Sequence, residues 1–225
     1  MNYSIATIGY KSFDNISRRV NEAYNSTHPP KEFVIVINPY GDSTETDKII
    51  EFAKSDSRVT RWAILSQNIG CAKAFNLGFD LCKEECIFAL SDDCSVGPET
   101  YGRMSSHFVD PKVGVVGVEA GHTSGDKYSA AKGFLLAYRR SMILEVGGYF
   151  EEFSPLACER ELCLRCQHMG WSMVIDSNCE WSHVHDISNN PHHTIEYMGE
   201  KFTANEFISL MYPKVQSRID VYNAK

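Results

Sequence analysis

The sequence lacks any apolar run that approaches the roughly 20 residues of a membrane-spanning helix. It also has little positive charge, since 22 Lys and Arg residues face 29 Asp and Glu residues and the net charge is −7. This acidity argues against a nucleic acid or an anionic membrane surface as the main partner. The first residues lack the basic and apolar regions of a signal peptide, so we expect a cytoplasmic protein, with peripheral attachment to a membrane left open.

The chain has eight cysteines but lacks the paired CxxC motifs of a structural zinc site. Cys158, Cys163 and Cys166 have a spacing that plant-type iron–sulfur proteins also use. Apolar residues at helical spacing surround them, which favours a helix with buried thiols. Cys179 near His183 is compatible with zinc, but no second cysteine pair supports such a site. We therefore expect reduced thiols in the core.

No internal repeat, low-complexity tract or linker divides the chain, so one domain over residues 1–225 is expected. Apolar segments typical of strands begin about every 30 residues, and each is followed by a helical pattern. The first three are Tyr3 to Ile8, Phe33 to Ile37 and Val59 to Leu65. This alternation predicts an α/β fold with a mostly parallel central sheet flanked by helices.

Two adjacent carboxylates follow the most apolar part of the middle of the chain. Cys86 to Leu90 has no charge, as a central parallel strand should, and Asp92 and Asp93 come directly after it. Ligands bind at the carboxyl ends of strands in such sheets, and two hard oxygen donors there suit Mg²⁺ or Mn²⁺ together with a phosphate. On these residues alone, a helix cap at Asp92 and a solvated Asp93 are equally good interpretations.

The second half of the chain has a less regular pattern. It predicts strands at 113–118, 133–138, 171–175 and 179–185, a helix at 158–169 that Gly170 ends, and a short helix that Ser141 caps. Residues 119–129 are rich in Gly, Ser, Thr and His and are expected to form a loop over the ligand. Residues 194–212 have a helical pattern.

Several blocks, in order and sensibly spaced, resemble the GT-A-fold glycosyltransferases, in particular the large inverting family 2. Asn68 to Gly78 is similar to the family's N-x-G-x-x-x-A-x-N-x-G, and Ser91-Asp92-Asp93 falls at its DXD position. Gly147 to Phe153 is similar to its Gly-Gly-Phe-Asp-Glu-x-Phe, and Glu159 to Arg165 to its Asp-x-Asp-Leu-x-x-Arg. His183 matches a histidine in a late strand. The resemblance covers roughly residues 4–188.

The resemblance implies a metal-dependent inverting enzyme that moves a sugar from a nucleotide-diphosphate sugar to a hydroxyl acceptor, in the manner of polysaccharide biosynthesis. UDP- or dTDP-sugars are the expected donors, and a glycan, a lipid-linked molecule or a protein is the expected acceptor. No nucleic acid partner is expected, and a homo-oligomer is left open. Residues 1–97 would form the nucleotide-sugar half, 98–190 the acceptor and catalytic half, and 191–225 a C-terminal helical tail.

The site residues follow from the same blocks. Glu159 would be the catalytic base, and Glu161 would orient the acceptor or a backbone amide. Asp93, Asp92 and His183 would hold Mn²⁺ or Mg²⁺. Residues expected to contact the donor are Ile8, Gly9, Asn38, Asp42, Asn68, Gly70, Lys73, Asn76 and Asp92.

Each assignment has a plainer alternative. Glu159 could only contact the helix dipole, and Lys73 is compatible with a solvated surface residue. His183 could be a hydrogen-bonded core histidine, or His185 could take its place at the metal. The late histidines 192 and 193 are interpreted as surface residues.

Three positions depart from the family pattern. Ser91 replaces the first acid of the DXD motif, and Glu159 replaces the Asp expected as the base. The Asp that holds the nucleotide base in the family is Asn38 here, or has shifted to Asp42. These departures motivate a second hypothesis, a nucleotide-sugar-binding module with weakened catalysis. A sugar-phosphate nucleotidyltransferase is a third. That class would require a Gly-rich basic phosphate loop after the first strand, and Ile8 to Ser12 supplies little of it.

Overall fold

A computed structural model describes residues 1–41, 44–121, 129–153, 158–183, 194–197 and 200–203. The strands are β1 (Tyr3–Gly9), β2 (Glu32–Ile37), β3 (Arg61–Ile64), β4 (Cys86–Leu90), β5 (Cys94–Val96), β6 (Val113–Gly117), β7 (Leu135–Arg139), β8 (Ser172–Ile175), β9 (Trp181–His183), β10 (Thr194–Tyr197) and β11 (Glu200–Thr203). The α-helices are α1 (Phe13–Tyr24), α2 (Thr44–Ser55), α3 (Cys71–Leu81), α4 (Thr100–Ser106), α5 (Arg140–Val146) and α6 (Cys158–His168). Short 3₁₀ helices cover His107–Val109 and Glu151–Phe153.

Seven strands form one sheet in the order β3-β2-β1-β4-β7-β6-β8. All neighbours in it pair in parallel except β7, which is antiparallel to both β4 and β6. Every residue of β2 and β4 is buried, because helices cover both faces of the sheet. The predicted α/β fold with a mostly parallel sheet is therefore confirmed.

The strands divide their side chains between two apolar cores, because successive residues point to opposite faces. Val34 packs on the face covered by α3, α5 and α6, whereas Phe33 and Ile35 pack on the face covered by α1, α2 and α4. Ser12 caps α1, since its hydroxyl accepts from the Asn15 amide at 3.3 Å. All eight cysteines are free, and seven are buried, as expected of core thiols. In the described part of the chain, no helix combines the length and apolarity needed to cross a membrane.

Three local predictions were wrong. Ser141 does not cap α5, which begins one residue earlier, and its hydroxyl contacts the Glu85 carboxylate instead. The short strand β5 was not predicted, and it pairs with β9 in a separate two-stranded sheet. The helical pattern at 194–212 is contradicted at 194–203, where β10 and β11 pair antiparallel. Polar and apolar residues alternate in β10, which favours a strand over a helix. Ile195 lies opposite Phe202 in the antiparallel pair, and both residue types are common in strands.

Asp176, which follows β8, predicts a pH dependence of stability. Burial disfavours its charge, but His107 at 2.9 Å, Arg103 at 3.2 Å and the Asn178 amide at 3.1 Å outweigh this and lower the pKa of Asp176 to about 2. A depressed carboxyl pKa stabilises the fold above the unfolded-state pKa near 4, and that contribution, about 2 kcal/mol, is lost as the pH falls toward 2. Urea unfolding should show Asp176→Asn less stable than the wild type at pH 6 and the difference closing near pH 2. An exposed aspartate changed in the same way, Asp80→Asn, should show no such convergence.

Candidate active site

The acidic loop after β4 is joined to β9 at the carboxyl edge of the sheet. The pairing of β5 with β9 places Cys94 opposite His183. As a result, His183 Nε2 lies 3.1 Å from Asp93 Oδ1, although the two residues are 90 positions apart. The His183 ring stacks on Phe134, with centroids 4.8 Å apart and planes at 17°. The structure therefore brings together two of the three residues that the sequence proposed as metal ligands.

Asp93 is held in its charged form. Burial opposes its ionisation, but the hydrogen bonds with His183 and with the Ser91 hydroxyl outweigh burial and lower the pKa of the Asp93 carboxyl. The Ser91 hydroxyl is a donor to that carboxylate. Ser91, which departs from the family pattern, thus supports Asp93 rather than offering a third acidic ligand.

The donors at this edge fit a divalent cation that is shared with a diphosphate. Asp93 and His183 have partly exposed side chains, and Asp92 is the next residue on the same loop. Within the described ranges, no group of three or more His, Cys, Asp or Glu side chains forms a closed metal site. Mg²⁺-type sites in phosphate chemistry commonly use one or two protein ligands, with phosphate oxygens and water completing the shell. The residues present therefore suit an ion that binds together with a nucleotide.

Glu159 lies in the first turn of α6 and is partly buried. Its Oε2 is 3.3 Å from the Cys158 thiol, which donates to it. Burial, followed by the charges of Glu159 and Asp92, raises the pKa of the Cys71 thiol to about 12. Cys71 is therefore within electrostatic reach of both carboxylates. The N-terminus of α3, where Cys71 lies, is therefore near both the predicted base and the acidic loop.

Asn38 braces a loop and does not present a free amide. It is 3% exposed, and its Oδ1 accepts from the Ile69 amide at 2.9 Å. Its Nδ2 donates to Asn68 Oδ1 at 3.1 Å and to the Gly70 carbonyl at 3.4 Å. Both amide hydrogens thus have partners in the protein, so the geometry does not support the predicted hydrogen bond from Asn38 to a nucleotide base. Asn38 and Asn68 instead fix the turn that begins α3.

Asn76 has a similar structural task. Its Nδ2 donates to the Tyr149 carbonyl at 2.9 Å, and its Oδ1 accepts from the Tyr149 amide at 2.7 Å. A Cβ atom on Gly148 would collide with the Asn76 amide, so a glycine is needed there for space. Two of the blocks that resemble family 2 are therefore bound to each other. Asn76, predicted to contact the donor, thus holds the backbone of Tyr149.

Glu161, predicted to orient the acceptor or a backbone amide, is buried in the interior, which argues against a contact with the acceptor. Its side chain is fully buried and pairs with Arg165, with Oε2 2.9 Å from Nη2. Arg165 also donates to the carbonyls of Val146 and Gly148, the latter at 2.6 Å. Gly147 between them has φ = +86°, a conformation that favours glycine. The pair fixes the end of α5, and no acceptor can reach it.

Three further predicted donor contacts, Ile8, Gly9 and Lys73, lie in described elements and differ in exposure. Ile8 and Gly9 end β1, and a Cβ on Gly9 would approach Ile49 to 2.9 Å. Lys73 on α3 is half exposed, and its Nζ is 3.2 Å from Glu151. Asp42 lies outside the described residues. The same holds for His185, for the histidines at 192 and 193, and for most of the predicted loop at 119–129.

Sequence reasoning missed an aromatic and cationic group at the ends of β1 and β2. Tyr10 and Tyr40 pack edge to face with centroids 5.4 Å apart, and Lys11 Nζ lies 4.1 Å from the Tyr40 ring centroid. Tyr40 is 51% exposed, so this surface is open to a ligand. The available signal for a ligand-binding surface here was an aromatic residue within three positions of the carboxyl end of each of two neighbouring parallel strands.

The fold, the acidic loop and the glutamate at the start of α6 define a domain of the GT-A glycosyltransferase class. A family profile described as Glycosyl transferase family 2 matches residues 4–159, more than half of the chain. The chain belongs to that family. A comparison with curated protein sequences gives no match.

Solved structures agree on the fold. A mannosyltransferase, PcManGT from Pyrobaculum calidifontis in complex with GDP-Man and Mn²⁺, has TM-score 0.66 at 16% identity, covering 79% of this chain and 56% of its own. S. aureus TarS 1-349 with UDP-GlcNAc has TM-score 0.66 at 15% identity, covering 99% and 66%. GalNAc-T7 with UDP, GalNAc and Mn²⁺ has TM-score 0.67 at 13% identity, covering 82% and 44%. The chain thus spans less than two thirds of the length of these proteins.

Proposed function

We propose that the protein is a metal-dependent inverting glycosyltransferase that uses a nucleotide-diphosphate sugar. The observation that carries this proposal is the contact between Asp93 and His183, whose side chains lie 3.1 Å apart next to Asp92. Membership of family 2 supports it. The Mn²⁺ and nucleotides in the names of PcManGT and GalNAc-T7 structures agree with a shared cation.

The residues of the chain divide the chemistry between them. Asp93 and His183, with Asp92, would hold Mn²⁺ or Mg²⁺, which when bound supplies positive charge for the leaving diphosphate. Glu159 takes the proton of the acceptor hydroxyl as that oxygen attacks the anomeric carbon. Attack from the face opposite the nucleotide inverts that carbon. The Cys158 thiol orients the Glu159 carboxylate for this step.

The donor is expected to be a UDP- or dTDP-sugar. The Tyr10–Lys11–Tyr40 group offers an aromatic face and a positive charge. With the diphosphate at the acidic loop, this group would contact the nucleoside part of the donor. The acceptor is a glycan, a lipid-linked molecule or a protein, in a cytoplasmic pathway of polysaccharide synthesis. Acceptor contacts would come from the half of the chain that follows β5.

Calorimetric titration with UDP, dTDP and GDP, each with and without Mn²⁺, tests the donor site. We expect one nucleotide to bind only with Mn²⁺, and Asp93→Ala to weaken that binding more than about 100-fold, because even second-shell ligands at metal sites cost 10–100-fold. Asp80→Ala, an exposed aspartate of α3, should bind as the wild type does. Equal binding with and without Mn²⁺, or an unaffected Asp93→Ala variant, would contradict the metal assignment.

A nucleotide-sugar-binding module without turnover is the second candidate. It is motivated by the departures from the family pattern, of which Ser91 donates to Asp93 and so supplies no third acidic ligand. This candidate predicts Mn²⁺-dependent nucleotide binding with neither sugar transfer nor donor hydrolysis. Release of UDP from UDP-GlcNAc, or of GDP from GDP-mannose, would exclude it.

A further inference from the structure

Residues 129–134 connect the acidic loop to the helix that carries Glu159. At one end, the Phe134 carbonyl accepts from the Ser91 amide at 3.0 Å. The Phe134 ring also stacks on His183, as described above. This end of the segment is therefore fixed to both sides of the Asp93–His183 pair.

The other end is fixed to α6. The Gln167 side chain accepts from the Ser129 amide at 3.3 Å and donates to the Ser129 carbonyl at 2.5 Å. Ala130 and Ala131 are buried, and the Gly121 amide donates to the Ala130 carbonyl at 2.8 Å. Residues 129–134 thus form a spacer that hydrogen bonds fix at both ends, between the acidic loop and α6.

Gly133 in this spacer is in direct contact with Glu159. A Cβ atom on residue 133 would lie 2.5 Å from Glu159 Cγ and Cδ and 2.6 Å from Oε1. Its φ lies outside the left-handed region, so any residue could adopt this backbone. Glycine is therefore required here only for space, and that space is filled by the Glu159 carboxylate.

The Glu159 carboxylate has a second contact, with the Cys158 thiol 3.3 Å from Oε2. Cys158 is 2% exposed, and burial followed by the charge of Glu159 raises the pKa of its thiol. The thiol stays protonated and remains a donor to the carboxylate. The Glu159 side chain is thus in contact with the backbone of Gly133 and with a buried hydrogen-bond donor.

We propose that Gly133 is a positioning residue for the reaction. Because residue 133 has no side chain, the Glu159 carboxylate can occupy its present position relative to the Asp93–His183 pair. This inference rests on the proposed function, in which Glu159 is the base and the pair holds the diphosphate. A displacement of a base by about 1 Å can lower a rate by about 100-fold, so the spacing has a measurable effect.

The variant Gly133→Ala tests the proposal with little risk to the fold. The atoms that the new methyl group would meet belong to the end of a flexible side chain, so Glu159 can swing aside. For hydrolysis of UDP-GlcNAc or GDP-mannose, whichever the wild type accepts, we expect kcat to fall about 100-fold with KM and the thermal midpoint nearly unchanged. Gly102→Ala on α4 is the matched control, because its Cβ would lie 3.5 Å from the nearest atom, His28 Cβ.

A double-mutant cycle separates positioning from a general loss of structure. If Gly133 acts through Glu159, then Gly133→Ala should cost nothing further in a Glu159→Ala background. An additive loss in the double variant would overturn the proposal, and so would a single variant with wild-type kcat.

A crystal structure of Gly133→Ala gives a readout that does not depend on turnover. We expect the Glu159 carboxylate to move by more than about 1 Å, while β7 and α6 stay in place. A carboxylate at its original position would refute the proposal whatever the kinetics. A wild type that hydrolyses no donor would instead count against the proposed function, and the spacing would still be decided by this structure.

Discussion

Replacing Glu159 with Gln should lower the rate of sugar transfer and of donor hydrolysis by about 10²–10⁴-fold, the usual contribution of a general base. Gln has the shape of Glu but cannot take a proton at neutral pH. Because Asp92, Asp93 and His183 are untouched, the dissociation constant of the nucleotide in the presence of Mn²⁺ should stay within about twofold of the wild type.

Release of nucleoside diphosphate over time measures the rate, and calorimetry measures binding. Glu145→Gln, an exposed glutamate of α5, is the matched control and should retain full activity. The pH–rate profile gives a second check, because the acidic limb that reports the base should disappear in Glu159→Gln. Full activity in that variant would remove Glu159 from the mechanism and leave its position in the first turn of α6 as a contact with the helix dipole.

Replacing Arg165 with Met should lower the free energy of unfolding by about 3–5 kcal/mol, because it leaves the fully buried Glu161 without its charged partner. The loss should include the hydrogen bond at 2.6 Å to the Gly148 carbonyl. It also removes the contact of the guanidinium with the Phe150 ring, 4.2 Å from its centroid. Urea unfolding followed by circular dichroism measures the change.

Two further variants show whether charge burial is the cause. Glu161→Leu combined with Arg165→Met removes both charges and should recover part of the lost stability. Recovery should be incomplete, because the carbonyls at the end of α5 lose their donor. Lys54→Met at the exposed end of α2 should change stability by no more than about 0.5 kcal/mol. An Arg165→Met variant close to the wild type would show that the ion pair contributes little.

The sheet and its helices could be predicted because their signals are local. β2 and β4 are continuous apolar runs, and α1 repeats buried residues at helical spacing after a capping Ser12. The strand predicted at 179–185 corresponds to β9, but β5 could not be predicted in the same way. β5 has three residues and, in the described part of the chain, pairs only with β9, so its strand conformation depends on a partner about 87 positions away.

The site was predicted by residue type but not by role. The resemblance to family 2 implied that the acidic loop and His183 act together, and the structure places Asp93 and His183 in contact. Asn38 and Asn76 stand at positions expected to touch the donor, yet both amides bind the protein's own backbone. A sequence shows which residue carries an amide but not which carbonyl it meets. For Glu161 the signal was present, because Arg165 four residues later is the spacing of a helical ion pair.

The pairing of β5 with β9 has a consequence for how the site is assembled. The family profile ends at residue 159, so the matched segment contains both aspartates and the base but not His183. During synthesis the acidic loop emerges 90 residues before the histidine that completes it. The contact between Asp93 and His183 therefore cannot form until β9 has been synthesised, and it depends on the chain that follows β8. A fragment cut at the boundary of the family match would keep most of the sheet and lose the partner of Asp93.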